Sequence, residues 1–560
     1  MKRLHPHTRQ LILIILGAFV WIGCDQPSEQ TTEQAARTFV NPLYEGADPF
    51  VYKHTDGAYY FCQSEGDRGI AIWKSDRLTD KGVKRVVWTP PAAGWNTSEI
   101  WAPELHYLSG KWYIYYAADS GENKDHRMGV LESVTDDPQG EYTDRGMLYT
   151  GDEIENTGDG IENIDDEIES EANNRWAIDG TPLKVGDRLY FIWSGWEGIV
   201  DEQWLYIAEM ENPWTIKTNR VKLAENDDYS WERVSENADE RGLNEGPQIL
   251  ERAGVIYVVY SVSGSWQTSY KLAQLSIEAG ADPMEPSNWV KHETPVFSGS
   301  GRVHGVGHAS FTTSPDGSED WLVYHTKIDT APGWRRVVHL QPFAWTEEGP
   351  DFGDPVPAGV PLAVPGGEPT NARGGHFSDT FEHGRWDNWV YYGHNRFINT
   401  RNRALSLNSL PGEHIDSAFP SGEKALIQGY DWVDFTFSTR INVVEGEGEA
   451  GLLFRASHPA VGRHAVKGYY GALRPREDAI VLGTIDGGTW KELARSEIHS
   501  SNDEWYEMTI RAAGAQINLD VNGEPMISVE DNTYASGMAG IRIVDVHALF
   551  DDVDIRAARH

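Results

Sequence analysis

A hydrophobic, aromatic run that follows a polar turn recurs five times in the first two thirds of the chain. The copies are Tyr59-Tyr60-Phe61 after Asp56-Gly57, Trp112-Tyr113-Ile114-Tyr115-Tyr116 after Ser109-Gly110, Leu189-Tyr190-Phe191-Ile192-Trp193 after Gly186-Asp187, Ile256-Tyr257-Val258-Val259-Tyr260 after Ala253-Gly254, and Trp321-Leu322-Val323-Tyr324-His325 after Glu319-Asp320. Each reads as a strand buried on both faces and entered through a turn. A short polar motif precedes each copy: Ala47-Asp48-Pro49, Trp101-Ala102-Pro103-Glu104, Ile178-Asp179-Gly180, Asn244-Glu245-Gly246-Pro247 and Gly307-His308-Ala309-Ser310. Taken at Asp48, Glu104, Asp179, Glu245 and His308, the motifs are 56, 75, 66 and 63 residues apart. That period suits four-stranded propeller blades with added loops and predicts a five-bladed β-propeller over residues 38–356. The longest interval holds an insertion, 151–174, dense in Glu and Asp and without aromatics apart from the flanks, which reads as a solvated loop with no EF-hand spacing.

The pattern changes after the fifth repeat. Residues 357–375 are rich in Pro, Gly and Ala and mark a linker or domain edge. Strand-like runs at 377–381, 432–441, 450–454 and 505–521, with the hairpin turn Asn522-Gly523, predict about a dozen strands of a jelly-roll β-sandwich over 376–560. The predicted fold class is therefore all-β, a propeller followed by a sandwich.

The N-terminus carries Lys2, Arg3 and Arg9 and then an apolar run, 11–22, shorter than the roughly 20 residues a membrane-spanning helix needs. Residues 1–24 read as a signal peptide of an exported bacterial envelope protein. Gly23-Cys24 resembles a lipobox in which Cys24 is lipidated, although Trp21 stands where that pattern usually has Leu. An ordinary signal peptide cleaved nearby is the alternative. Residues 25–37 then form a polar tether. After processing only Cys62 could pair, so no internal disulfide forms, and its apolar strand predicts a buried, inert thiol.

Composition narrows the partner. With 86 Asp plus Glu against 48 Lys plus Arg, the formal charge of −38 repels nucleic acid and acidic head groups. A neutral polysaccharide or oligosaccharide fits, and the only membrane contact expected is through the lipid.

Inner strands of a propeller converge on its axis, and four of the five motifs carry a carboxylate: Asp48, Glu104, Asp179 and Glu245. Like charges brought together raise one another's pKa, a cost that points to catalysis, with a cation as one way to offset it. Paired carboxyl groups are the machinery of glycosidic bond cleavage. At this point residues 41–354 resemble glycoside hydrolase family 43, the five-bladed arabinofuranosidase, xylosidase and arabinanase group, in motif identity, order and blade position. The resemblance implies an inverting enzyme with Asp48 as general base, Glu245 as general acid and Asp179 as the carboxylate that orients the acid and raises its pKa. It further implies His308 beside a bound Ca²⁺ or a water network in the channel, and a substrate-side arginine, Arg335 or Arg336, here assigned to Arg336.

Glu104 reads as a substrate or positioning residue. Trp101, Trp176, Trp231 and Trp266 lie near the motifs and offer faces for a sugar ring, although propeller tryptophans also serve as core. The second domain resembles concanavalin-like and laminin-G-like modules, including the phrase Ala548-Leu549-Phe550-Asp551-Asp552-Val553, and either binds glycan or buttresses the propeller. The reading reached is an exo-acting α-L-arabinofuranosidase. A β-xylosidase, an endo-arabinanase, a β-galactofuranosidase and a non-catalytic glycan-binding lipoprotein are the alternatives.

Overall fold

A computed structural model describes residues 38–152, 174–197, 202–233, 242–369, 374–382, 384, 386, 388–393, 398–410 and 422–558. The expected signal segment with Cys24, the tether 25–37 and most of the 151–174 insertion lie outside them. Among the described residues every regular element longer than one helical turn is a strand.

Five antiparallel sheets follow one another along the chain. Their innermost strands are Phe50–Lys53, Ser98–Leu108, Ala177–Val185, Asn244–Arg252 and His304–Thr313, and the recurrent aromatic runs are the second strands beside them. Those second strands are apolar throughout because each blade is covered on both faces. Tyr60 and Cys62 pack toward blade two with Ile114 and Tyr116, whereas Tyr59 and Phe61 pack toward blade five with Trp321 and Val323. Cys62 is fully buried and unpaired, and burial pushes its thiol well above the usual range.

The ring is closed by the chain's own start. Tyr44–Glu45 pairs with the outer strand of blade five, Arg336–Thr346, with Tyr44 opposite Val338. Gly46 N–H donates to the Arg336 carbonyl at 3.1 Å. Closure therefore brings Asp48, three residues past Glu45, beside Arg336, a neighbour nearly 300 residues away in sequence.

Residues 357–369 are bound to the propeller and do not form a free linker. Pro361–Ala363 pairs with Thr38–Val40, and the buried Glu368 carboxylate accepts from the N–H groups of Leu78 and Thr79 at 3.1 and 3.3 Å. Backbone and side-chain partners on blade one hold it there.

The remaining strands form the sandwich around one large apolar core that includes Trp432, Phe437, Leu452, Tyr469, Ile541 and Phe550. The runs expected at 432–441 and 450–454 belong to a single strand, Phe435–Ser457, which follows Met538–Ala557 through four register shifts. Such bulges let one strand bend from sheet to sheet. The run expected at 505–521 is two strands, Trp505–Ala513 and Gln516–Val521, divided at Gly514 with φ +54°. Asn522 and Gly523 both take positive φ in the anticipated hairpin. The sandwich docks on blade one: Trp73 Nε1 donates to Gln428 Oε1 at 2.9 Å and Arg77 pairs with Asp431.

Candidate active site

Four of the five inner strands break their ladder at the motif. Ile178 faces Ser194 and Thr181 faces Ile192, so Asp179 and Gly180 bulge opposite a single residue. The same two-for-one bulge falls at Ala102-Pro103, Gly246-Pro247 and His308-Ala309. The first bulge residue has positive φ each time: Ala102 (41°), Asp179 (55°), Gly246 (57°) and His308 (48°), with Asp48 (48°) in the same place ahead of Phe50. For non-glycine residues that backbone costs about 1–3 kcal/mol and aims the side chain out of the ladder.

This register corrects one inference from the sequence. The equivalent positions are Asp48, Ala102, Asp179, Gly246 and His308, of which two are carboxylates, not four. Glu245 precedes its bulge by one residue, and Glu104 follows its bulge by one. Motif matching could not see this, because a turn motif marks a strand's start and leaves its register open.

Three cationic or polar groups converge on Asp48. His308 Nδ1 and His325 Nδ1 lie 3.3 Å from Asp48 Oδ1, and the Arg336 Nη1 lies at 3.4 Å. His325 Nδ1 also accepts the Asp48 N–H at 3.2 Å, which fits a neutral ring. Burial and the nearby Arg336 hold His325 down to about 3. Burial would raise the Asp48 carboxyl, but Arg336 and then His308 outweigh it and hold Asp48 far below the usual carboxylate range. Arg335 instead pairs with Asp329 at 3.0 Å, so Arg336 is the inward arginine.

Asp179 and Glu245 have the opposite environment. Burial, then Glu245 and Asp48, push Asp179 up to about 8 against the pull of His308. Glu245 is raised chiefly by burial, with the Tyr270 hydrogen bond and His308 working the other way. The pair therefore retains a proton near neutral pH. Gly246 N–H donates to Asp179 Oδ2 at 3.1 Å and favours the anion there. Tyr270 Oη donates to Glu245 Oε1 at 2.7 Å, and Gln203 Nε2 approaches Oε2 at 3.4 Å. Tyr270 fits because blade five has glycine at 307, where a Cβ would stand 2.1 Å from its ring. His308 faces both sets, at 3.9 Å from Asp179 Oδ2, and the surrounding carboxylates raise it despite burial.

The other sequence candidates divide. Glu104 is buried one level deeper, where Gln248 Nε2 donates to its Oε1 and His106 Nε2 lies 2.8 Å from its Oε2. Trp101 lines a cavity of about 360 Å³ that opens on Asp48 and is walled by Ser64 and Arg68 of blade one and Trp386 and Trp389 of the sandwich. Trp101 is stacked on His126 at 3.9 Å. Trp176 is buried behind them, with its indole N–H donated to the Asn123 carbonyl and its ring stacked on Trp196. Trp231 makes its contacts elsewhere, donating to the Glu293 carbonyl and packing on the core between blades three and four.

Among the described residues the His and carboxylate trio able to close on a metal ion is Glu99, Asp119 and His126, and it excludes His308. Among the described residues His308 belongs to no such trio. Burial disfavours charge on His126, yet both ring nitrogens face acceptors, Asn123 O and Asp119 Oδ2 on one side and Glu99 O on the other, at 3.1–3.2 Å.

Sequence reasoning missed Tyr270, His325 and Gln203. His325 ended one of the quoted aromatic runs, but alternation alone did not reveal that its ring meets Asp48.

A five-bladed propeller holding one ionised carboxylate opposite a carboxyl pair that keeps its proton defines a β-propeller glycosidase. Residues 39–350 match the profile of glycosyl hydrolases family 43, and this chain belongs to that family. Residues 377–556 match the 3-keto-alpha-glucoside-1,2-lyase-like domain. The chain is 33% identical over 378 residues to an extracellular exo-α-(1→5)-L-arabinofuranosidase of Streptomyces avermitilis, covering 64% of this chain and 72% of that protein. It is 33% identical over 299 residues to the protein of that description from Streptomyces chartreusis, covering 52% and 82%. Among solved structures, an α-L-arabinofuranosidase of Lactobacillus brevis shares 34% identity with a TM-score of 0.49, covering 57% of this chain and 98% of that one.

Proposed function

We propose that this glycosidase releases terminal α-L-arabinofuranosyl residues from polysaccharide or oligosaccharide with inversion at the anomeric carbon. The observation that carries the mechanism is the split environment of the carboxyl groups: Asp48 clamped by Arg336 and His308, and Glu245 desolvated beside Asp179. Asp48 takes a proton from a water molecule as that water attacks the anomeric carbon. Glu245 gives its proton to the departing glycosidic oxygen. Asp179 keeps Glu245 protonated by like-charge repulsion, while Tyr270 holds Oε1 and leaves Oε2 to carry the transferred proton. Inverting enzymes hold acid and base about 6.5–9.5 Å apart, with room for the water between.

The arabinofuranosyl specificity rests on the names of the Streptomyces relatives. Hydrolysis of nitrophenyl α-L-arabinofuranoside, β-D-xyloside and β-D-galactofuranoside, with Asp48→Asn as control, tests it. Preference for the arabinofuranoside, lost in the variant, is the expected result; preference for another glycoside would keep the mechanism and reject the sugar. Export with lipid attachment at Cys24 is proposed from Gly23-Cys24 and the preceding apolar run. A mature protein whose mass shows no lipid on Cys24 would reject the anchor.

A further inference from the structure

Resting on the glycosidase reading above, we infer that Trp334, backed by Trp266, is a stacking shelf for a neutral sugar ring of the polysaccharide next to the ring being cleaved. Trp334 is 67% exposed, the most exposed large apolar side chain among the described residues. Its indole presents an apolar face with a polar edge to solvent, the surface on which a sugar ring stacks.

The shelf is built, not loose. Trp266 lies 6.3 Å from Trp334 between ring centroids. Its own ring folds over Gly264, where a Cβ would stand 2.7 Å from the indole. Gly333 N–H donates to the Trp266 carbonyl at 2.9 Å, and the buried Lys327 ammonium bridges the carbonyls of Trp266 and Gly333. The loop is closed further by Ile328 N–H on the Arg335 carbonyl and by the Arg335–Asp329 pair at 3.0 Å. These bonds fix the backbone on both sides of Trp334 and consume the charges around it, so what it offers is an apolar face without a free ion. A sugar ring with one C–H face fits that surface, and an acidic ligand gains nothing there.

Its place in the chain joins the shelf to the reaction. Trp334 precedes Arg336 by two residues, and Arg336 touches Asp48. At the rise of an extended chain their Cα atoms are at most about 7 Å apart, roughly one sugar unit.

The test compares wild type with Trp334→Ala and Trp334→Tyr on two substrates, nitrophenyl α-L-arabinofuranoside and a linear arabino-oligosaccharide. The ratio of kcat/KM on the oligosaccharide to that on the nitrophenyl glycoside is expected to fall about tenfold in Trp334→Ala and to be kept in Trp334→Tyr. An unchanged ratio in Trp334→Ala would overturn the shelf. Retardation in native gels containing linear arabinan or arabinoxylan reads binding without turnover. Wild type retarded and Trp334→Ala not retarded supports the shelf even if no arabinofuranoside is hydrolysed, an outcome that would reject the proposed function alone. Equal migration of the two proteins would overturn the shelf.

Discussion

The propeller axis and the sandwich both bury charged side chains, but they finish them differently. In the sandwich, the Lys424 ammonium is spent on the carbonyls of Ala460 and Gly462, Arg455 on those of Val433 and Tyr534, and Arg542 on Glu449 and the Arg463 carbonyl. Each has backbone to satisfy it. At the axis, Asp48, Asp179, Glu245 and His308 chiefly face one another, and strained bulges hold three of them there. Charge satisfied by backbone is architecture, whereas charge balanced against other titratable groups retains protons that can move.

The sharpest way to break that comparison is at Asp48 and Glu245. Asp48→Asn or Glu245→Gln is expected to lower kcat on an unactivated glycoside by about 10³-fold or more with the melting temperature kept. A variant that loses activity only as it unfolds would show these groups to be architecture too. The converse substitution, Arg455→Met, is expected to cost about 3 kcal/mol in denaturant unfolding, because it leaves buried carbonyls unmatched. Activity per folded molecule should not change, and a selective loss of kcat would erase the distinction.

Smaller effects sharpen it. Tyr270→Phe removes the hydroxyl on Glu245 Oε1 and should lower kcat about tenfold with little change in KM. A change confined to KM would assign Tyr270 to substrate binding instead. The pH profile carries the finest test. Glu245 must hold its proton to act, so kcat/KM should fall with rising pH as that carboxyl ionises, at a pH above the ordinary glutamate range because burial raises it. Asp179→Asn removes the neighbouring negative charge, lowers the pKa of Glu245 and should move that alkaline limb to lower pH. A limb that stays in place would remove Asp179 from the role.

Much of this site was legible in advance. Asp48, Asp179, Glu245 and His308 stood in motifs that recur with the blades, and recurrence in a closed ring forces convergence on the axis. The inward choice between Arg335 and Arg336 was not legible, because strand ends give no parity to count from. Tyr270 and His325 were hidden for another reason: each sits in an ordinary strand context, and its role comes from a residue on another blade. Trp231 illustrates the reverse error, a tryptophan beside a motif that turned out to pack in a core.

What the sequence by itself determined is the repeat: five aromatic strands, their polar motifs, the change of pattern past residue 357 and the strong acidic balance. These follow from local periodicity, which side-chain burial imposes on any chain that folds this way. The tertiary structure decided which equivalent positions face the axis, which arginine meets Asp48, that Glu368 straps its segment to blade one, and that Trp386 of the sandwich walls the cavity at Asp48. Those outcomes depend on register, ring closure and domain docking, contacts between residues hundreds apart, for which no local pattern carries a signal.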